Sequence, residues 1–307
     1  MVMPTGVMLR VNPSADNAID GLIADARRVH ELGVRQIWLA QQVDIDAIAV
    51  AGLIGAAVPG LGVGTAVVPI NPRHPLLISA AAQTAQAAAH GNFSLGLGLG
   101  ARVIEHHAFG IDRTNTVHRL REYLQVLRGA FEKGDATFHG DEYSIDVQWP
   151  VRVAGGTPIP IYVAAMGPKA LQVTGELADG TLPYLAGPRT IGEFIVPTIN
   201  DAAESAGRPQ PRVIAMVPVL VSDDVEAARK TAAEQLAFYA TIPSYQKVIA
   251  REGVSDLTDL AAVGSEDQVR TKLQTYLDAG AADVVLSPLQ PERADDLERT
   301  WAVAASL

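Results

Sequence analysis

Short apolar runs alternate with stretches of helical period along most of this chain, and that alternation predicts its architecture. Residues 6–11 read as a first strand. Residues 16–32 follow with Ile19, Leu22, Ile23, Ala26 and Val29 on one face and Gly33 just past the end, the pattern of an amphipathic helix and its stop. Further strands are predicted at 36–40, 62–68, 93–99, 160–165, 180–184, 212–221 and 283–287. Helical patterns lie between them at 47–58, 76–89, 115–132, 169–177, 191–206, 225–240 and 266–279, with a short hairpin over 137–149 around Gly140-Asp141.

The strands are continuously apolar rather than alternating, which implies burial on both faces, as in a parallel sheet. Eight strand-and-helix units predict an α/β fold, a (β/α)8 TIM barrel made of residues 1–307 as one domain. Its active site would lie on the loops that follow the strands. Residues 101–157 and 241–263 depart from the rhythm and read as insertions after strands 4 and 7, suited to a lid or an oligomer contact. A doubly wound open sheet also accommodates this alternation.

Composition narrows the function classes. Hydrophobic residues make up 48% and charged residues 19% of the 307, ordinary for a soluble globular enzyme. With no cysteine, disulfides, thiolate nucleophiles and Cys-ligated metals are excluded. A formal charge of −10 argues against nucleic acid or an anionic membrane as partner. The first residues, MVMPTGVMLR, lack a signal peptide's basic start and apolar core, and no apolar run is long enough to span a bilayer. A cytoplasmic protein acting on a small molecule is expected.

Candidate chemistry gathers where predicted strands end. GTAVVPINPRHP, residues 64–75, runs a buried strand into a proline-stiffened loop, a rigid place to hold a ligand. GLGLGA, residues 96–101, formally matches the dinucleotide fingerprint, yet its glycines lie within the strand. Its partner acid would be Glu122, inside a helix, so close strand packing is the better reading. AAMGPKAL, residues 164–171, places Gly167 and Pro168 at a helix start with Lys169 beside them. The residues alone leave a phosphate-holding turn and a plain tight turn equally open. Arg73, His74 and Arg102 also fall near strand ends, where loop salt bridges are at least as good a reading as ligand binding. The pair His106-His107 lacks metal-ligand spacing, and no G-x-S-x-G exists, so neither a metal site nor a serine hydrolase is expected.

The segments GTAVVPINPRHP, FSLGLGLG, HRLREYLQVLRGAF, PIYVAAMGPKALQVTGELADG and VGSEDQVRTKLQTYLDAGAADVV occur in this order over nearly the whole chain. Together they resemble the bacterial luciferase-like superfamily, and most closely its branch using the deazaflavin coenzyme F420. The resemblance implies a homodimeric (β/α)8 barrel that holds a flavin or deazaflavin at the carboxyl ends of its strands. It implies a non-prolyl cis peptide at Ala66-Val67 behind the deazaflavin ring. It also implies that the turn after the fifth strand binds the cofactor phosphate through Met166, Gly167 and Lys169. Gly100, Arg102, Ala165 and Pro168 complete the expected cofactor-binding set.

The second strand's end offers Gln41 and Gln42 to ring and substrate. The superfamily's sugar-phosphate dehydrogenases carry an Asp-His pair there, and a Glu where this chain has Ala101. A neutral amide is no general acid or base, so alcohol oxidation by that route is not expected. What the resemblance implies instead is hydride transfer from the reduced cofactor to a small activated C=C, C=N or C=O group, with Gln41 or Gln42 polarising a carbonyl. An FMN-dependent monooxygenase of the same superfamily, or a non-catalytic F420-binding protein, are the alternatives.

Overall fold

The structure, a computed structural model, describes residues 5–12, 15–112, 114–290 and 294–307. Among them are the eight expected strands: β1 (Thr5–Leu9), β2 (Gln36–Leu39), β3 (Gly62–Thr65), β4 (Phe93–Gly98), β5 (Ile161–Ala164), β6 (Gly180–Thr181), β7 (Arg212–Val221) and β8 (Asp283–Pro288). Each is followed by at least one helix. The chain divides into two compact bodies, Met1–Trp38 with Leu182–Asn200 and Arg212–Leu307, and Leu39–Thr181 with Asp201–Pro211.

In the first body β8 pairs in parallel with β1, Thr5 opposite Val284, and with β7, Ile214 opposite Asp283. All of β8, and all of β7 after Arg212, is buried, which explains why apolar residues run on through β7 from Val213 and through β8 between Asp283 and Ser287 instead of alternating. The second insertion was expected to reach residue 263. It gives way earlier, to a short strand, Ala262–Gly264, which pairs in parallel with the end of β7. Only three residues long, that strand is too brief to show a period.

In the second body β3, β4, β5 and β6 pair in parallel in that order, Val63 opposite Phe93, Leu95 opposite Ile161 and Tyr162 opposite Gly180. Thr65 locks the first pair, its hydroxyl donating to the Gly96 carbonyl and accepting from the Gly96 N–H, both at 2.9 Å. The strand predicted over 180–184 shortens to Gly180–Thr181, and two further elements differ from expectation. The strand predicted over 62–68 stops at Thr65; Ala66 and Val67 leave the sheet, and Val68–Pro69 rejoin it beside Leu97 and Gly98. The helix predicted over 115–132 is α-helical over Thr116–Arg128 and then widens into a π-helical turn, Gly129–Lys133, ended by left-handed Gly134. The predicted hairpin forms, Phe138–His139 against Ser144–Ile145.

Candidate active site

Parallel pairing sets the carboxyl ends of β3, β4 and β5 side by side in the second body, and most of the expected site residues stand there. The Ala66-Val67 peptide is cis, and the Ala66 N–H donates to the Leu39 carbonyl at the end of β2, 2.7 Å away. Val67 is seated on β4: a Cβ added to Gly98 would lie 2.6 Å from Val67 Cγ2. Valine is stiff at χ1, so only glycine at position 98 leaves room for it.

The loop that follows is tied at nearly every residue. Ile70 N–H donates to the Gly98 carbonyl at 3.0 Å. Asn71, buried, donates from Nδ2 to both oxygens of the equally buried Glu105 carboxylate, at 3.0 and 2.8 Å. Arg73 reaches Asp46 at 2.6 Å, the salt bridge its plainer reading foresaw. His74 Nδ1 accepts from the Leu76 N–H and caps the helix Pro75–Ala88, while its ring meets the edge of Tyr143 at 5.5 Å. Burial and then the nearby Arg119 charge push the imidazole pKa down, favouring the neutral form in which Nδ1 can accept.

Gly96 and Gly98 lie within β4, as expected, but Gly100 and Ala101 form a turn that opens the helix Arg102–Phe109. Gly100 sits at φ +81°, where a Cβ would overlap the Glu105 carboxylate 1.9 Å away. Arg102, first in that helix, is exposed and makes no ion pair among the described residues.

The turn after β5 has the opposite character. Ala165 is buried and held from both sides: its N–H donates to the Val163 carbonyl at 2.8 Å, and its carbonyl accepts from the Thr181 hydroxyl at 3.3 Å. Beyond it the chain opens. Gly167, Pro168 and Lys169 are exposed, Gly167 has nothing within 4 Å of where a Cβ would be, and no side chain caps the helix Pro168–Leu177. Proline at its first position removes one N–H, so the free donors of that helix end come from Lys169 and Ala170. Lys169 also lines a cavity of about 560 Å³ with Asn115, His118, Arg121 and Gln172.

Gln41 departs from its expected role. Its amide Nε2 donates to the carbonyls of Gln42 at 2.7 Å and Ile45 at 2.9 Å, and its Oε1 accepts from the Ala47 N–H at 3.2 Å. Both amide hydrogens are therefore used in holding the loop after β2, and none is left to polarise a carbonyl. Gln42 beside it is exposed. Sequence reasoning also missed the Asn71–Glu105 pair. No local pattern marks a loop asparagine and a helix glutamate 34 residues apart as partners.

Rigid loops and open backbone donors at the carboxyl ends of parallel strands make a candidate ligand site of the kind α/β proteins carry there. Residues 2–283 match the family model for luciferase-like monooxygenases, and the chain belongs to that family. It is 25% identical over 303 residues to an F420-dependent glucose-6-phosphate dehydrogenase of Kineococcus radiotolerans, covering 89% of this chain and 88% of the relative. It is 28% identical over 210 residues to an uncharacterised protein of Mycobacterium tuberculosis, a match over 64% of this chain that spans 62% of that protein's length. Among solved structures, the F420-dependent tetrahydromethanopterin reductase of Methanopyrus kandleri superposes with a TM-score of 0.82 at 22% identity over 99% of this chain and 96% of that one. An F420-dependent secondary alcohol dehydrogenase, solved with an F420-acetone adduct, also reaches 0.82, at 18% identity over 100% and 98%. These likenesses show the fold, the (β/α)8 barrel that the alternation of strands and helices predicts.

Proposed function

We propose that this chain is an F420-dependent oxidoreductase that passes hydride from the reduced deazaflavin to a small activated C=C, C=N or C=O substrate. The observation that carries the reading is the break in β3 at Ala66 and Val67, at the position where the resemblance puts the ring's backstop. Membership of the luciferase-like family and relatives named for F420 support it. The residues present fit the group. Val67, seated in the space that Gly98 leaves, would give the ring an apolar ledge, with Gly100 and Arg102 following at the end of the strand that carries Gly98. Ala165, Met166, Gly167, Pro168 and Lys169 offer the phosphate an open turn, a helix N-terminus and an ammonium group.

Bound there, F420 supplies the two-electron hydride chemistry. The chain's own residues position and polarise. Gln41 fixes the loop after β2, which leaves the exposed Gln42 amide as the donor to a substrate carbonyl. Neither amide moves a proton, which leaves water available to protonate the product. No helix of the described residues is long and apolar enough to cross a membrane. We place the enzyme in the cytoplasm as a homodimer. FMN is the second reading, favoured by structural neighbours such as a Baeyer–Villiger monooxygenase component solved with FMN, TM-score 0.78.

Titrating the purified chain with F420 and with FMN tests the cofactor. Tight binding of F420 and none of FMN is expected. Oxidation of the reduced deazaflavin by a panel of enones, imines and ketones then tests the chemistry. FMN binding without F420 binding overturns the reading, whereas F420 binding with no turnover of any panel member favours a non-catalytic binder.

A further inference from the structure

The insertion after β4 docks its hairpin on the helix Thr116–Arg128 through one buried carboxylate. Glu122 accepts from the backbone N–H of Asp141 at 2.8 Å on Oε1, and from those of Glu142 and Tyr143 at 2.9 and 3.0 Å on Oε2. One helical turn earlier His118 faces the same oxygen. Its Nε2 lies 3.1 Å from Glu122 Oε1 and 3.3 Å from Asp141 Oδ2, and the three atoms all lie within 4.8 Å of one another. Tetrahedral zinc with bonds of roughly 2.0–2.1 Å spaces its ligand atoms about 3.3 Å apart. Both histidine spacings match that edge.

We propose that His118, Glu122 and Asp141 form a binding site for a first-row divalent cation of the Zn²⁺ type, with its remaining positions open to water. Glu122 Oε1 gives one lone pair to the Asp141 N–H and keeps another for the metal. Its backbone bonds hold the carboxylate in place before any metal arrives, which lowers the ordering cost of binding. The imidazole nitrogen selects against Mg²⁺ and Ca²⁺, which prefer oxygen alone. His118 also lines the cavity that Lys169 borders, so the cation would stand at its wall. The competing arrangement is a histidine that merely donates Nε2–H to two carboxylates.

Calorimetric titration of the chelator-treated full chain with Zn²⁺ separates the two. One site per chain is expected, weakened at least tenfold in His118→Ala and in Asp141→Asn, and unchanged when the exposed pair His106 and His107 are both replaced by alanine. Mg²⁺ and Ca²⁺ should give no heat. Zn²⁺ should also slow amide exchange at residues 141–143 several-fold in the wild type and not in His118→Ala. No binding, binding indifferent to His118→Ala or Asp141→Asn, or binding lost with His106 and His107 overturns the site. None of these outcomes depends on which redox cofactor the protein uses.

Discussion

The loop after β3 and the turn after β5 follow strands of the same sheet that flank β4, yet they are built in opposite ways. In the first, Val67 fills the space over Gly98, Asn71 grips Glu105, Arg73 pairs with Asp46 and His74 caps the next helix. In the second, Gly167 to Lys169 stand exposed at an uncapped helix end. The contrast separates two kinds of recognition. A planar ring is held by shape, which demands a surface that does not yield. A phosphate is held by donors, which must be left unused until it arrives. Each junction can be broken without touching the other.

The largest effect should come from the buried pair that anchors the rigid loop. Asn71→Ala leaves the Glu105 carboxylate buried without its donor and should cost about 3 kcal/mol, read by urea unfolding. Next comes Gly98→Ala, whose added methyl meets Val67 at 2.6 Å. Overpacking of this kind costs roughly 1–3 kcal/mol, and titration should show F420 affinity falling at least tenfold as the ledge shifts. Lys169→Ala should act on the open turn alone. It is expected to weaken F420 several-fold, with less effect at high salt, and to leave thermal stability unchanged.

The smallest effect concerns acid. Burial works against ionisation of Asp46, but its hydrogen bond from Arg73 and those from the backbone N–H of Ala49 and Ile48 outweigh it and lower the carboxyl pKa. Stability from such a group is complete above the unfolded carboxyl value, about 3.9, and is lost as pH falls through the folded one. Asp46→Asn keeps the helix cap and loses the charge. Wild type should therefore be the more stable at neutral pH, with the gap closing below about pH 4 in unfolding measurements across pH.

The alternation of strands and helices was legible because it rests on burial, and β7 begins one residue before its apolar run and ends with it. The break in β3 was not legible from pattern. Ala66 and Val67 are as apolar as the strand they leave, so hydropathy carries no mark of it, and only the resemblance pointed there. The turn after β5 could be read from Gly167, Pro168 and Lys169 because helix starts have local rules. Gln41 shows the limit in the other direction. Its residue type suggested a donor to substrate, but three backbone groups within the loop claim it. His118 and Glu122 stand one turn apart on a helix, and that spacing was there to be noticed. Asp141 joins them only through the fold of the hairpin.

Comparing intact F420 with its deazaflavin headgroup lacking the phosphate tests the division of labour most directly. By calorimetry, wild type should bind F420 at least tenfold more tightly than the headgroup, a difference of about 1.4 kcal/mol. Lys169→Ala should narrow that ratio, while Gly98→Ala should weaken both ligands equally and leave it unchanged. Equal affinity of the wild type for the two ligands would contradict the account, because the open turn after β5 would then hold no phosphate.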